Sequence, residues 1–302
     1  MKISIVIPTY NRNEMLCRTI TNILSFKHQY HELIIVDQTR QRDPQTKIFL
    51  QELIEKNKIK YLYIDNPNVP NAMNMGIKEA SGDMIFFFDD DVEICENTIP
   101  SHISGYSGPD IGCVTGKVII KNDGQEGNMV LKNSITIKRL LKSFLFLFLK
   151  KRASYVGKLG VLSNYSGDKI LPADSCIGCN VSFKKEVFEK CGFFDTNFKG
   201  NAVRFETDMS VRLRRGGYGI MYIPQAAIVH YMDNAGGTRT AASEEYWYTI
   251  FKNQCYFYIK NFHYSYVSIM FIQLFDFLRC KKQGMKPMPI FRKAYLEAKD
   301  SV

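Results

Sequence analysis

Three adjacent aspartates, Asp89, Asp90 and Asp91, follow the aromatic run Phe86–Phe88. Carboxylates this close repel one another and cost stability unless a cation lies among them. A hard divalent ion with oxygen ligands and substrate phosphates removes that cost. The plainer alternative is a solvated acidic turn; the apolar run before it fixes this turn at the end of a buried strand. Glu206 and Asp208 stand in Arg204-Phe205-Glu206-Thr207-Asp208, ahead of Val211, Arg212, Leu213 and Arg214. That spacing predicts a helix with acids in its first turn, where the helix dipole favours them. A carboxylate there can equally act as a general base toward a hydroxyl group. Asp37 closes a short apolar run, either as a turn or cap residue or as an acceptor for ligand N–H and hydroxyl groups. His230 follows Ala226–Val229, and a lone histidine at a strand end is usually structural unless it reaches a metal or a diphosphate. Gly236-Gly237-Thr238-Arg239 is a short loop carrying a cation.

The elements that must position these residues alternate in kind. Ile3–Ile7, Leu33–Val36, Tyr61–Ile64 and Met84–Phe88 are short apolar runs of strand length. Between them, Met15 to Leu24, Ile48 to Ile54 and Asn71 to Ala80 repeat at helical spacing. Strands alternating with helices predict an α/β fold whose doubly wound, mostly parallel sheet is covered on both faces. Ligands of such sheets bind at the carboxyl ends of the strands. Pro8-Thr9-Tyr10, Asp37 and Asp89–Asp91 all fall at those ends, so three polar loops converge on one crevice.

Four stretches of the chain differ in character. Residues 1–120 form the alternating half. Residues 121–170 break the rhythm and read as a basic amphipathic insertion. Residues 171–240 resume α/β sequence, and 241–302 form a helical, aromatic tail. The whole chain has 302 residues, 45% hydrophobic and 23% charged, a balance that excludes wholesale disorder. Its start, MKISIVIPTY, lacks the long apolar region of an export signal, and the eight cysteines are expected to be reduced thiols. Net charge is +10, and the stretch 127–167 holds eight Lys or Arg with no acid at all. The basic character is thus local.

In order along the chain, these pieces resemble the family 2 glycosyltransferases, inverting enzymes with the GT-A fold. Ser4-Ile5-Val6-Ile7-Pro8-Thr9-Tyr10-Asn11-Arg12 is similar to the family's opening strand and nucleotide loop. Val36-Asp37 resembles its base-contacting aspartate. Ala72-Met73-Asn74-Met75-Gly76-Ile77 with Phe88-Asp89-Asp90-Asp91 resembles its central block. The resemblance implies a nucleotide-sugar donor held by Pro8, Thr9, Tyr10, Arg12, Asp37, Asn74, Asp89 and Asp90. It implies Mn2+ or Mg2+ on Asp89, Asp91 and His230, the last in the closing segment. Gly178, Asn180 and Asp195 would shape the acceptor side. Glu206 stands at the catalytic-base position, usually Asp in the family, and Asp208 is the second acid of that motif. Met73 departs from the pattern, because the family commonly has Arg there.

Lys138–Arg152 reads KRLLKSFLFLFLKKR. Its apolar centre is far shorter than the ~20 residues a spanning helix needs, and basic flanks suit a segment lying among lipid headgroups. A buried core helix with solvated ends is the plainer alternative. Trp247, Ile250, Phe251, Gln254, Cys255, Tyr258 and Phe262 repeat at helical spacing, and Val267–Leu278 is largely apolar. This tail is suited to a cytoplasmic leaflet, to its own catalytic domain or to a dimer, so the expected location is peripheral, at the inner face of the cell membrane. The expected partners are the donor, a saccharide or lipid-linked acceptor and an anionic membrane, with no nucleic acid, because the aromatics of the basic segment are continuous rather than interleaved with polar residues. A sugar nucleotidyltransferase is disfavoured because the loop after the first strand has no glycine, and an inactive scaffold is disfavoured by the intact acids.

Overall fold

The computed structural model describes residues 1–122, 125–128, 152–157, 160–231 and 243–302. Its elements in chain order begin β1 (Ile3–Thr9), α1 (Glu14–Ser25), β2 (Glu32–Asp37), α2 (Pro44–Glu55), β3 (Lys60–Tyr63), α3 (Val69–Glu79), β4 (Met84–Phe88), β5 (Val92–Ile94) and α4 (Thr98–Ser104). Next come β6 (Ile111–Asn122), β7 (Gln125–Asn128), β8 (Ser154–Gly157), β9 (Gly160–Ser163), β10 (Leu171–Ala173), β11 (Asn180–Lys184), α5 (Glu186–Cys191), α6 (Phe205–Arg215) and β12 (Gly219–Tyr231). The tail forms α7 (Glu244–Phe262), α8 (Tyr266–Ile272), α9 (Leu274–Lys282) and α10 (Pro287–Asp300).

One mixed sheet carries the molecule, in the order β10-β12-β6-β11-β4-β1-β2-β3. The strands β3, β2, β1 and β4 run parallel, and β11 enters antiparallel between β4 and β6. Alternation along each strand deals its side chains to two cores. Ile3, Ile5 and Ile7 of β1 meet Phe86 and Phe88 of β4 and Leu16 and Ile20 of α1 on one face. Val6, Ile85 and Phe87 meet Ala72, Met73 and Ile77 of α3 on the other. Strands with no solvent face read as continuous apolar runs, which is why the sequence marked them so clearly. The expected alternating α/β architecture is present, and the antiparallel insertion of β11 is the feature its spacing could not announce.

The tail's first helix does not lie free. Trp247, Phe251, Cys255 and Tyr258 of α7 are fully buried in the same core as Phe205 and Met209 of α6. No helix among the described residues is long and apolar enough to cross a membrane. Of Lys138–Arg152, all but Arg152 lies outside the described residues, as does Gly236–Arg239.

Candidate functional site

The acidic turn is built by the sheet. β4 ends at Phe88, the chain turns through Asp89–Asp91, and β5 then pairs antiparallel with the end of β12. In that register Val92 faces His230, and the Tyr231 N–H donates to the Asp91 carbonyl at 2.9 Å. The ladder therefore sets the histidine against the aspartates although they lie far apart in sequence. His230 Nε2 stands 2.7 Å from Asp91 Oδ1 and 3.8 Å from Asp89 Oδ2. Donor atoms of Asp89, Asp91 and His230 all lie within 4.8 Å of one another. Ligands on opposite sides of Mg2+ stand about 4.2 Å apart, so a small closure brings all three onto one ion. Two hard oxygens suit Mn2+ or Mg2+, and the imidazole nitrogen favours Mn2+ of the two, so the residues fit a metal that the sequence called for.

The rest of the acid cluster is tied to the loop after β1. Thr9 Oγ1 donates to Asp90 Oδ2 at 2.7 Å. Arg12 is buried, with Nη2 3.0 Å from Asp91 Oδ2 and Nε 3.8 Å from Asp90 Oδ1. Burial, and then the charge of Asp91, push the Asp90 carboxyl up to about 7. Asp89 is the open member, its side chain 43% exposed. Pro8 and Tyr10 flank Thr9 and are partly exposed at the same strand end.

Asp37 is not the open carboxylate that its place at a strand end suggested. It is fully buried, and Arg42 grips it with Nε on Oδ2 and Nη2 on Oδ1, both at 2.7 Å. Tyr61 donates its hydroxyl at 2.6 Å and Thr39 its N–H at 2.8 Å. Arg42 also donates to the Arg12 carbonyl and, at 3.4 Å, to Thr9 Oγ1. A ligand donor aimed at Asp37 has to share or displace these groups. Arg42 was invisible in the sequence, since an Arg in a polar loop, with Arg40 two residues before it, has no periodicity to mark it.

Glu206 approaches on α6, the second helix between β11 and β12. It sits in the first turn of α6, and that turn follows Ala202 and Arg204, non-glycine residues with φ of 49° and 81°. Left-handed backbone of this kind is costly and gathers at functional sites. Gly178, just ahead of β11, lies under the Glu206 carboxylate: a Cβ there would meet Oε1 at 2.7 Å. Burial pushes the Glu206 carboxyl up to about 7, Asp89's charge adds to the rise, and the N–H groups of Glu206 and Gly178 oppose it. Cys179, buried beside them, has its thiol driven well up by burial and then by the charges of Asp89, Asp91 and Glu206. Those three carboxylates therefore share one neighbourhood around the start of β11.

Four expected site residues serve as ties within the fold. Asp208 is fully buried, accepting from Arg212 Nε at 3.0 Å and Asn261 Nδ2 at 2.9 Å, with Lys260 Nζ at 2.9 Å. It joins α6 to the tail helix α7. Asp195 accepts from Tyr256 at 2.8 Å and Lys260 at 2.6 Å, fastening its loop to α7. Asn180 is fully buried, donating to the carbonyls of Lys117 and Ala226 at 3.0 and 2.7 Å and bonding His102 at 2.8 Å. Asn74 exchanges two hydrogen bonds with the Phe194 backbone, at 2.8 and 2.9 Å. Met73 packs in the core at 2% exposure, and the buried cations beside the acids are Arg12 and Arg42 instead.

The sequence model of glycosyl transferase family 2 matches residues 4–192. The chain belongs to glycosyltransferase family 2. Among curated relatives, this family 2 chain is 25% identical over 230 residues to poly-beta-1,6-N-acetyl-D-glucosamine synthase of Staphylococcus aureus, covering 74% of this chain and 48% of that protein. It is 22% identical over 251 residues to the O-antigen biosynthesis protein RfbC of Myxococcus xanthus, covering 82% of this chain and 18% of that protein. The chain thus spans about half the length of the first relative and less of the second. Among solved structures, GalNAc-T7 with UDP, GalNAc and Mn2+ superposes with a TM-score of 0.61 at 13% identity, over 97% of this chain and 56% of that one. The mannosyltransferase PcManGT from Pyrobaculum calidifontis, in complex with GDP-Man and Mn2+, gives 0.56 at 13% identity, over 100% and 76%. The fold is GT-A.

Proposed function

We propose that this family 2 chain transfers a hexose from a nucleotide sugar, with UDP as the nucleotide, to a saccharide or lipid-linked acceptor, with inversion, in the synthesis of a cell-surface polysaccharide. The observation that carries the proposal is the meeting of Asp89, Asp91 and His230 within 4.8 Å of one another, with Glu206 close enough to feel the charge of Asp89. Asp89, Asp91 and His230 would hold Mn2+ or Mg2+. When bound, the ion stabilises negative charge on the departing diphosphate. Thr9, Arg12 and Arg42 brace the nucleotide side, where Arg12 keeps the buried acids compact. Glu206 accepts the proton of the acceptor hydroxyl as that oxygen bonds to the anomeric carbon and the nucleoside diphosphate leaves. A carboxyl raised to about 7 is suited to that task, since a base works best when its pKa lies near the working pH. Asp208, Lys260 and Asn261 hold α6 so that Glu206 keeps its place.

Relatives and neighbours support this in their own terms: one is a poly-N-acetylglucosamine synthase, and two superposed structures hold a nucleotide or nucleotide sugar with Mn2+. The proposed location is the inner face of the cell membrane, attached peripherally. A donor panel tests the function. The protein is incubated with Mn2+ or Mg2+ and a series of nucleotide sugars, and release of nucleoside diphosphate is measured. One donor should give metal-dependent release that Asp91→Ala abolishes. Release that is indifferent to metal and to Asp91→Ala would overturn the proposal.

A further inference from the structure

We infer that the outward face of α8 and α9 is the surface that docks this chain on anionic lipid. This deepens the membrane placement proposed above by naming the contact. The two helices run almost as one, with only Gln273 between them, at φ −92° and ψ 10°. Ile269, Gln273, Phe277 and Cys280 form the inward stripe and are buried, with the Phe277 ring 5.1 Å from Phe251 and 5.0 Å from Phe291. On the opposite side Val267, Phe271, Leu274 and Leu278 recur at helical spacing and are 54%, 68%, 52% and 55% exposed. A helix that is apolar on both sides belongs inside something, and a contiguous exposed apolar stripe marks an interaction surface.

Charge selects the occupant. The stripe runs into Lys281 and Lys282, both exposed. The only acid from Tyr266 to Lys282 is Asp276, and Gln254 and Arg279 already engage it, at 2.8 and 3.5 Å. A second copy meeting the same face would bring its own lysines against helices whose one acid, Asp276, is already engaged. Anionic headgroups supply that charge while the acyl boundary takes the four apolar side chains, the arrangement of an interfacial helix.

The chain contains a single tryptophan, Trp247, which is fully buried. Phe271→Trp in the full chain is therefore a clean reporter. Its emission should shift to the blue with phosphatidylglycerol-containing vesicles and stay unchanged with phosphatidylcholine alone. In sedimentation with the anionic vesicles, Phe271→Glu/Leu278→Glu should lower the bound fraction at least tenfold, with the circular dichroism melt unchanged. Lys281→Gln/Lys282→Gln should weaken binding and reduce its dependence on salt. Equal sedimentation of wild type and the double glutamate variant would overturn the inference. So would a wild-type dimer in light scattering that the glutamate variant splits. The assay contains neither donor nor metal, so a wild type that fails to bind sinks the membrane placement with this inference, equal binding of wild type and glutamate variant sinks this face alone, and failed sugar transfer by a docking protein sinks only the proposed activity.

Discussion

Gly178→Ala separates the position of the Glu206 carboxylate, the proposed base, from the stability of the fold. A methyl group at residue 178 would stand 2.7 Å from Glu206 Oε1, 3.2 Å from Cγ and 3.3 Å from Cδ. Ordinary van der Waals contact begins near about 3.5 Å, so the carboxylate has to move by roughly 0.8 Å. The nearest atom is the mobile end of a side chain, so the backbone stays in place and the melting temperature should change by no more than about 2 °C. A misplacement of about 1 Å at a reacting group costs on the order of 100-fold. Turnover should accordingly fall about 30- to 100-fold, or about 2–3 kcal/mol of barrier. The assay is nucleoside diphosphate release at saturating donor and acceptor, with donor affinity measured separately by calorimetry and expected to hold. Glu206→Asp in the Gly178→Ala background shortens the side chain and should recover part of the loss. Turnover within twofold of wild type would refute the placement of Glu206, and so would loss of donor binding in step with turnover.

Further tests follow from other contacts. A Cβ at Gly116 would meet the Ala226 carbonyl at 1.8 Å and Asn180 Nδ2 at 2.3 Å. Here backbone has to yield, so Gly116→Ala should cost about 3 kcal/mol or more in denaturant unfolding, in contrast to Gly178→Ala. Lys260→Ala leaves the buried Asp208 with fewer partners and should destabilise by about 2–3 kcal/mol, while Lys260→Arg restores part of it; a neutral Lys260→Ala in thermal melts would contradict the tie between α6 and α7. Glu206, normally near 4.5, is raised to about 7 by burial, and its ionised form is the proposed base. The log of kcat/KM should thus climb with pH at unit slope up to about 7 and level off above it. For stability the sign is opposite. Between 4.5 and 7 the folded state holds a proton that the unfolded state has lost, so this group makes folding less favourable as pH rises. Glu206→Gln should therefore abolish turnover yet melt higher than wild type at pH 8 in chelator, and equally at pH 4.

Much of this molecule could be read along the chain because its strands are buried on both faces. Ile3–Thr9, Glu32–Asp37 and Met84–Phe88 have almost no solvent face, so composition alone marks them, and their carboxyl ends then locate Thr9 and Asp89–Asp91. What stayed hidden depends on pairing between distant segments. The resemblance points to His230 as a ligand, but the β5–β12 ladder that sets it against the aspartates is a pairing no local pattern encodes. Asp37, Asn74, Asn180, Asp195 and Asp208 are polar residues in the expected places, yet each spends its side chain on a partner many residues away or in the next loop, such as Arg42, Phe194, His102 or Lys260. A sequence shows that a polar group is present and leaves unsaid which buried neighbour satisfies it. The tail divides along the same line: spacing announced both the α7 and the α8–α9 helices, and only packing separates the buried α7 face from the exposed α8–α9 stripe.

The central claim is that one ion site, built where the turn after β4 meets β12, and one base on α6 face the same substrate. A crystal of the protein with Mn2+ and UDP, read by anomalous scattering, tests it most directly. A single manganese peak bounded by Asp89, Asp91 and His230, touching the diphosphate, with the Glu206 carboxylate bordering the same cavity, is the predicted result. Manganese and UDP bound elsewhere, or Glu206 closed off from that cavity, would contradict it.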